Sequence, residues 1–221
     1  KTLDQYTGEV YCARALAYSE LIKCFCEAYD ESKEQLGVVL RTSYFKEEPV
    51  KRASLKDSYK LVLDDLSKAE GLLVEKDGTR DYDSPYFTYA AVQAVRSRVA
   101  LHMGDWKTAV EYSSKLIGNT EKFELALASY QVTSDGMNEV DYLWHYDSSY
   151  EVLWRIGYTQ TSYGGALGQI FLNFNNDYTY YYPDYVPAQS ALNLYGAGDA
   201  RYDAYFAKAA TGYSHQLTWP L

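Results

Sequence analysis

Cysteine, histidine and methionine are scarce in this 221-residue chain, at 3, 3 and 2 residues. Cys12, Cys24 and Cys26 all fall in one helix-patterned segment. Along a helix, Cys12 and Cys24 are separated by about 18 Å, well beyond the roughly 7 Å between Cα atoms that a disulfide tolerates. Cys24 and Cys26 leave a helix in different directions, and Cys-x-Cys without a second pair is a poor zinc pattern. All three read as free thiols. His102, His145 and His215 show neither His-x-x-x-His nor His-Glu-x-x-His spacing. No serine nucleophile elbow occurs, and Gly164-Gly165-Ala166-Leu167-Gly168 lacks the lysine and preceding strand of a phosphate loop. No cofactor or metal is expected. Asp77, Asp81 and Asp83 lack the ligand spacing of a calcium hand and read as an interhelix loop.

Positive charge is also short. The 21 basic residues face 30 acidic ones, for a formal charge of -9, and no Lys/Arg cluster breaks the trend. Nucleic acid and anionic membrane are therefore excluded as expected partners. No run approaches the roughly 18 apolar residues of a membrane span, and no basic-then-apolar leader opens the chain. It begins at Lys1 without an initiator methionine and reads as a central fragment of a longer product, with any targeting signal expected elsewhere.

What the chain does have is helical periodicity and tyrosine. In the first half, Tyr11, Ala15, Tyr18, Ile22 and Phe25 recur at steps of four and three, predicting a helix over about 7–29. A second stripe, Ala13, Ala17 and Leu21, would let another helix approach closely. After a polar connection containing Gly37 and Pro49, Ser54 and Asp57 make a capping-box pattern. Leu55, Tyr59, Val62, Leu66, Ala69 and Leu73 then predict a helix to about 74. Ser84-Pro85 predicts the start of a third helix ending near Met103. Gly104 closes it, and Asp105 opens a fourth from Trp106 to Ile117. Residues 86–119 thus form one 34-residue unit, the tetratricopeptide period. Trp106, at its turn, is expected to pack between helices.

From about Thr120 the pattern changes to turn formers and tyrosines, punctuated by Ser134-Asp135-Gly136, Tyr163-Gly164-Gly165, Asn175-Asn176-Asp177 and Gly196-Ala197-Gly198-Asp199. Glu151 to Ile156 reads as a strand, with Tyr150 and Trp154 as core, and Ala188 to Tyr195 as a short helix. The fold class expected is mainly α: a tetratricopeptide-like helical scaffold over 1–119, carrying a loop-rich, aromatic-rich part over 120–221.

Several segments, in order, resemble the SusD-like (RagB/SusD) outer-membrane glycan-binding lipoproteins of Bacteroidetes. Tyr11-Cys12-Ala13-Arg14-Ala15-Leu16-Ala17-Tyr18-Ser19-Glu20-Leu21 resembles the family's Ala/Arg/Leu/aromatic helix. Gly37-Val38-Val39-Leu40 resembles its Gly-x-Pro-Leu, with Val39 in place of proline, and Asp65-Leu66 lies in a helix similar to its next one. Ala90 to Ile117 resembles its hairpin through Gly104-Asp105-Trp106. Glu151-Val152-Leu153-Trp154 resembles a family strand, and Pro187 to Arg201 its Pro-Ser to Asp-x-Arg region. The resemblance implies a non-enzymatic lipoprotein on the extracellular face of the outer membrane. It would bind oligosaccharide or polysaccharide and deliver it to a SusC-type TonB-dependent transporter. Membrane contact would come only through an N-terminal lipid anchor outside this sequence.

The residues suit that chemistry. Tyrosine supplies a flat apolar face for a pyranose and a hydroxyl for its hydrogen bonds, on few rotatable bonds. Of the 25 tyrosines, Tyr180, Tyr181 and Tyr182 are consecutive and cannot all face one core. The candidate sugar contacts are Trp144, Tyr146, Tyr178, Tyr180, Tyr181 and Tyr182, with Asn175, Asn176 and Asp177 as hydrogen-bond partners; no catalytic residue is assigned. Two other readings stay open: a tetratricopeptide adaptor that binds protein, and a helical-fold glycoside hydrolase, which would need two carboxylates about 5 to 10 Å apart.

Overall fold

A computed structural model describes residues 2–44, 50–74, 84–146, 148–157, 184–206, 208–209 and 219–220. The chain is mainly helical and divides into two compact units, residues 1–125 with 150–155, and residues 126–149 with 156–221.

In the first unit, α1 (Leu3–Phe25) is opened by a capping box: the Gln5 N–H donates to Thr2 Oγ1 and the Thr2 N–H to Gln5 Oε1. Its buried stripe is Cys12, Ala15, Tyr18, Ser19 and Ile22. Two features differ from the sequence expectation. Phe25 is exposed, and the Ala13, Ala17 and Leu21 stripe faces solvent. Both faces of α1 are apolar, so spacing alone could not choose between them.

α2 (Leu55–Leu72) packs along α1 and buries Leu55, Tyr59, Val62, Leu66 and Ala69, with Leu73 just beyond its end. Burying each large aliphatic side chain contributes roughly 1.5–3 kcal/mol. At its start the Asp57 N–H donates to Ser54 Oγ at 2.9 Å, and that hydroxyl donates to the Asp57 carboxylate at 2.7 Å. Across the α1–α2 seam, Arg14 Nε donates to Asp65 Oδ2 at 2.6 Å and Nη2 to Oδ1 at 2.8 Å.

The connection between these helices is not a plain loop. β1 (Leu36–Val39) and β2 (Arg52–Ser54) pair antiparallel within it. The ribbon lies so close to α2 that a Cβ on Gly37 would coincide with Ser58 Oγ and the Ser54 carbonyl. Ser58 Oγ accepts the Val38 N–H at 3.1 Å and donates to the Ser54 carbonyl at 2.9 Å. Arg52 clips the ribbon to the end of α1, donating to the Gly37, Phe25 and Leu36 carbonyls at 2.6, 3.0 and 3.2 Å.

α3 (Tyr89–Met103) begins later than Ser84-Pro85 predicts. Thr88 is the cap, its hydroxyl accepting the Ala91 N–H at 3.1 Å. Ser84 is instead extended, because it bridges Trp154 in parallel and accepts the Arg155 N–H at 3.1 Å. Glu151 to Ile156 therefore makes an isolated bridge in place of a strand, and Trp154 stacks on Phe87 at 4.6 Å between centroids. Gly104, at φ +75, ends α3, a conformation that costs most residues a steric clash but not glycine. Asp105 then caps α4 (Trp106–Ile117) by accepting the Thr108 N–H. The two helices form the expected tetratricopeptide-like hairpin. Trp106, however, is 66% exposed and does not pack between them.

In the second unit, Gln131 and Asn138 bridge antiparallel around the Ser134-Asp135-Gly136 turn, with Gly136 at φ +93. Asn138 then caps α5 (Glu139–Tyr146), its Oδ1 accepting the Asp141 N–H at 3.0 Å. α6 (Gln189–Leu192) is a single turn after Pro187, and α7 (Ala200–Tyr205) packs against α5. β3 (Lys208–Ala209) and β4 (Trp219–Pro220) pair antiparallel. Among the described residues no helix is long and apolar enough to cross a membrane.

Candidate functional site

Among the described residues, the second unit carries an exposed aromatic face built on two short helices. Asp199 caps α7 by accepting the Arg201 N–H at 3.1 Å, after Gly198 at φ +82 has turned the chain. Arg201 folds back in a two-point ion pair, Nη2 to Oδ2 at 2.7 Å and Nε to Oδ1 at 2.9 Å. That pair holds the Asp199 carboxyl below the usual carboxylate range and raises the Arg201 guanidinium. The guanidinium also lies 5.8 Å from the centre of the Tyr195 ring.

With its start fixed in this way, α7 presents Tyr202 and Tyr205 one turn apart. Tyr195, Tyr202, Tyr205 and Phe206 interlock through ring contacts of 5.4 to 6.3 Å. Tyr205 meets Trp144 of α5 edge to face, with centroids 4.5 Å apart and planes at 71°. Trp144 stays 58% exposed and Tyr205 39% exposed. In that geometry each ring fixes the other's orientation while Trp144 keeps open surface.

Tyr146 is exposed as well, but it pairs with Tyr142 at 4.7 Å. Trp144 and Tyr146 are two positions apart on α5 and so leave it on different sides. The structure thus assigns these two residues to separate ring pairs. The other candidates, Asn175, Asn176, Asp177, Tyr178, Tyr180, Tyr181 and Tyr182, lie outside the described residues, as do Asp77, Asp81 and Asp83. Tyr205 was not singled out by sequence reasoning. The signal was there, in an Asp-x-Arg cap followed by Tyr202, Tyr205 and Phe206.

Several described carboxylates of this unit are engaged by neighbouring groups. Glu139 accepts the Leu127 N–H at 2.9 Å, Asp141 accepts from Asn138 Nδ2 at 2.7 Å, and Asp199 is held by Arg201. The Thr133 hydroxyl keeps Asp135 below its ordinary range. Among the described residues no three His, Cys, Asp or Glu side chains converge as a metal site. This face offers aromatic surface and hydroxyls with few charges.

Comparison with known proteins points to one family. Residues 1–101 match the SusD-like family model described as starch-binding associating with outer membrane. A SusD superfamily protein from Bacteroides thetaiotaomicron VPI-5482 matches at 26% identity and a TM-score of 0.59, over 76% of this chain and 34% of its own. Over residues 1–101 the chain resembles the SusD-like family.

A SusD-like protein from Bacteroides fragilis NCTC 9343 gives a TM-score of 0.62 at 22% identity, over 97% of this chain and 38% of its own. A SusD superfamily protein from the same organism gives 0.62 at 14% identity, over 99% of this chain and 47% of its own. These two likenesses carry the fold across both units. No curated protein matches. The chain therefore spans from about a third to just under half the length of these solved relatives. Its family-like motifs mostly serve the fold: Arg14 and Asp65 tie α1 to α2, Gly37 lets the ribbon approach, Gly104 and Asp105 turn the hairpin, and Asp199 and Arg201 cap α7.

Proposed function

We propose that this SusD-like protein captures oligosaccharide or polysaccharide on the extracellular face of the outer membrane and delivers it to a SusC-type TonB-dependent transporter. A lipid anchor outside these residues would hold it there. The observation that carries the reading is the exposed Trp144–Tyr205 ring pair, fixed by the capped α7, in a chain whose family model is described as starch-binding. Trp144 supplies an apolar face for the C–H side of a pyranose, and Tyr205 orients it and adds a hydroxyl. Tyr146 and Tyr142 make a second ring pair on α5. Asn175, Asn176, Asp177, Tyr178, Tyr180, Tyr181 and Tyr182 are the further sugar contacts proposed on the sequence alone.

The mechanism is binding, with no bond made or broken. That reading is supported by Glu139, Asp141 and Asp199, which are engaged by the Leu127 N–H, Asn138 and Arg201 in the way that capping groups are. A glycan array screen tests the reading, with starch oligosaccharides as the first probes. Binding without new reducing ends is the expected result. New reducing ends would make the protein a hydrolase, and protection from unfolding by peptides but not by glycans would make it an adaptor.

A further inference from the structure

Arg201 stands next to the exposed ring pair with its charge already answered. On α7 it precedes Tyr205 by four residues, so the two side chains share a helix face about 6 Å apart along the axis. Its guanidinium lies 5.8 Å from the centre of the Tyr195 ring and interacts electrostatically with Tyr205. The Arg201 side chain is 62% exposed and that of Asp199 19% exposed. Nε and Nη2 both donate to the Asp199 carboxylate, while Nη1 has no partner among the described residues. The pair is neutral as a whole, yet it keeps N–H groups that can donate to a saccharide hydroxyl.

The surroundings carry charge of one sign. Among the described side chains of the second unit, Arg201 is the only lysine or arginine, against the carboxylates of Asp135, Glu139, Asp141, Asp184, Asp199 and Asp203. The whole chain has a formal charge of -9. A neutral saccharide loses nothing in such a field, whereas one bearing carboxylates is repelled. A free guanidinium would reverse that preference locally, because it pairs with a carboxylate through two parallel hydrogen bonds. Asp199 already occupies two such donors.

On the glycan reading proposed above, we infer that Asp199 is a specificity residue: by neutralising Arg201 beside the Trp144–Tyr205 pair, it leaves the site open to neutral saccharides and closed to uronates. Asparagine caps a helix as well as aspartate does, so Asp199→Asn keeps the start of α7 and removes the charge. Titration calorimetry compares maltohexaose with its C6-oxidised uronate form, on the parent and on this variant. The parent should bind the neutral form at least about tenfold more tightly. In Asp199→Asn the uronate-to-neutral affinity ratio should rise at least about fivefold at low salt, and most of that rise should vanish in about 0.5 M sodium chloride. Arg201→Gln removes the cation and leaves the carboxylate, so it should push the ratio below the parent's. Equal binding of the two forms by the parent, an unchanged ratio in either folded variant, or a rise that survives the salt would overturn the inference and leave the glycan reading standing. Binding of neither form by the parent would overturn both.

Discussion

Replacing Arg14 by methionine keeps most of the side-chain volume over Tyr11 and removes the cation bonded to Asp65 across the α1–α2 seam. The two partners are unequally buried: the Asp65 side chain is 0% exposed and that of Arg14 is 28% exposed. Removing one member of a buried pair costs about 3–5 kcal/mol when the remaining charge is stranded. Arg14→Met strands a fully buried carboxylate, so a cost of about 3–5 kcal/mol is expected. Asp65→Asn strands a guanidinium that already reaches water and keeps a carbonyl to bond, so the cost should fall to about 1–3 kcal/mol.

The double variant Arg14→Met with Asp65→Leu strands nothing, and exchanging a buried pair for apolar residues is often near neutral, so it should recover to within about 2 kcal/mol of the parent. Urea unfolding followed by tryptophan fluorescence measures all three, with unchanged slopes certifying that midpoints report stability. Equal losses for the two single variants would refute the burial argument. A double variant as unstable as the two losses added together would refute the pairing itself.

Two further outcomes test the scaffold. Gly37→Ala should destabilise by about 1–3 kcal/mol, because the new methyl meets the Ser54 backbone and Ser58 Oγ; an unchanged urea midpoint would mean the ribbon does not sit against α2. Asp30 is held down to about 2 by the Lys33 ammonium, then by the Ser32 hydroxyl and N–H. Its folded-state pKa lies below the unfolded value, so its contribution is present above about 4 and is lost as pH falls toward 2. Carboxyl NMR should place its midpoint well below 4, and a midpoint near 4 would show that Lys33 and Ser32 do not hold it.

How much of this was legible depended on how many roles a residue type can fill. α2 could be read directly, since its apolar stripe and its polar face are well separated and every stripe residue from Leu55 to Leu73 is buried. The Gly104-Asp105 turn was equally clear, because few residues accept a positive φ or cap a helix. α1 was legible in part: Ala15, Tyr18 and Ile22 of the expected stripe are buried beside Cys12 and Ser19, while Phe25 and the second stripe of Ala13, Ala17 and Leu21 are exposed. Trp106 was expected inside on the strength of its size, yet it stands exposed at the turn. The β1–β2 ribbon escaped notice because strands of three and four residues carry too little alternation to register.

For the candidate site the difficulty was tyrosine itself. It packs and it binds, so its density marked the right half of the chain without saying which rings stay open. Trp144 and Tyr146 were both singled out and are both exposed, but only the structure separates them into different ring pairs and joins Trp144 to Tyr205.

The central claim is that the rings of the second unit hold glycan without reacting with it. Titration calorimetry of the parent and the Trp144→Ala, Tyr205→Ala variant against the best glycan from the array addresses it most directly. The account predicts at least about tenfold weaker binding, equivalent to about 1.4 kcal/mol, with the helical circular dichroism of the folded protein retained. Undiminished affinity in the variant would contradict it.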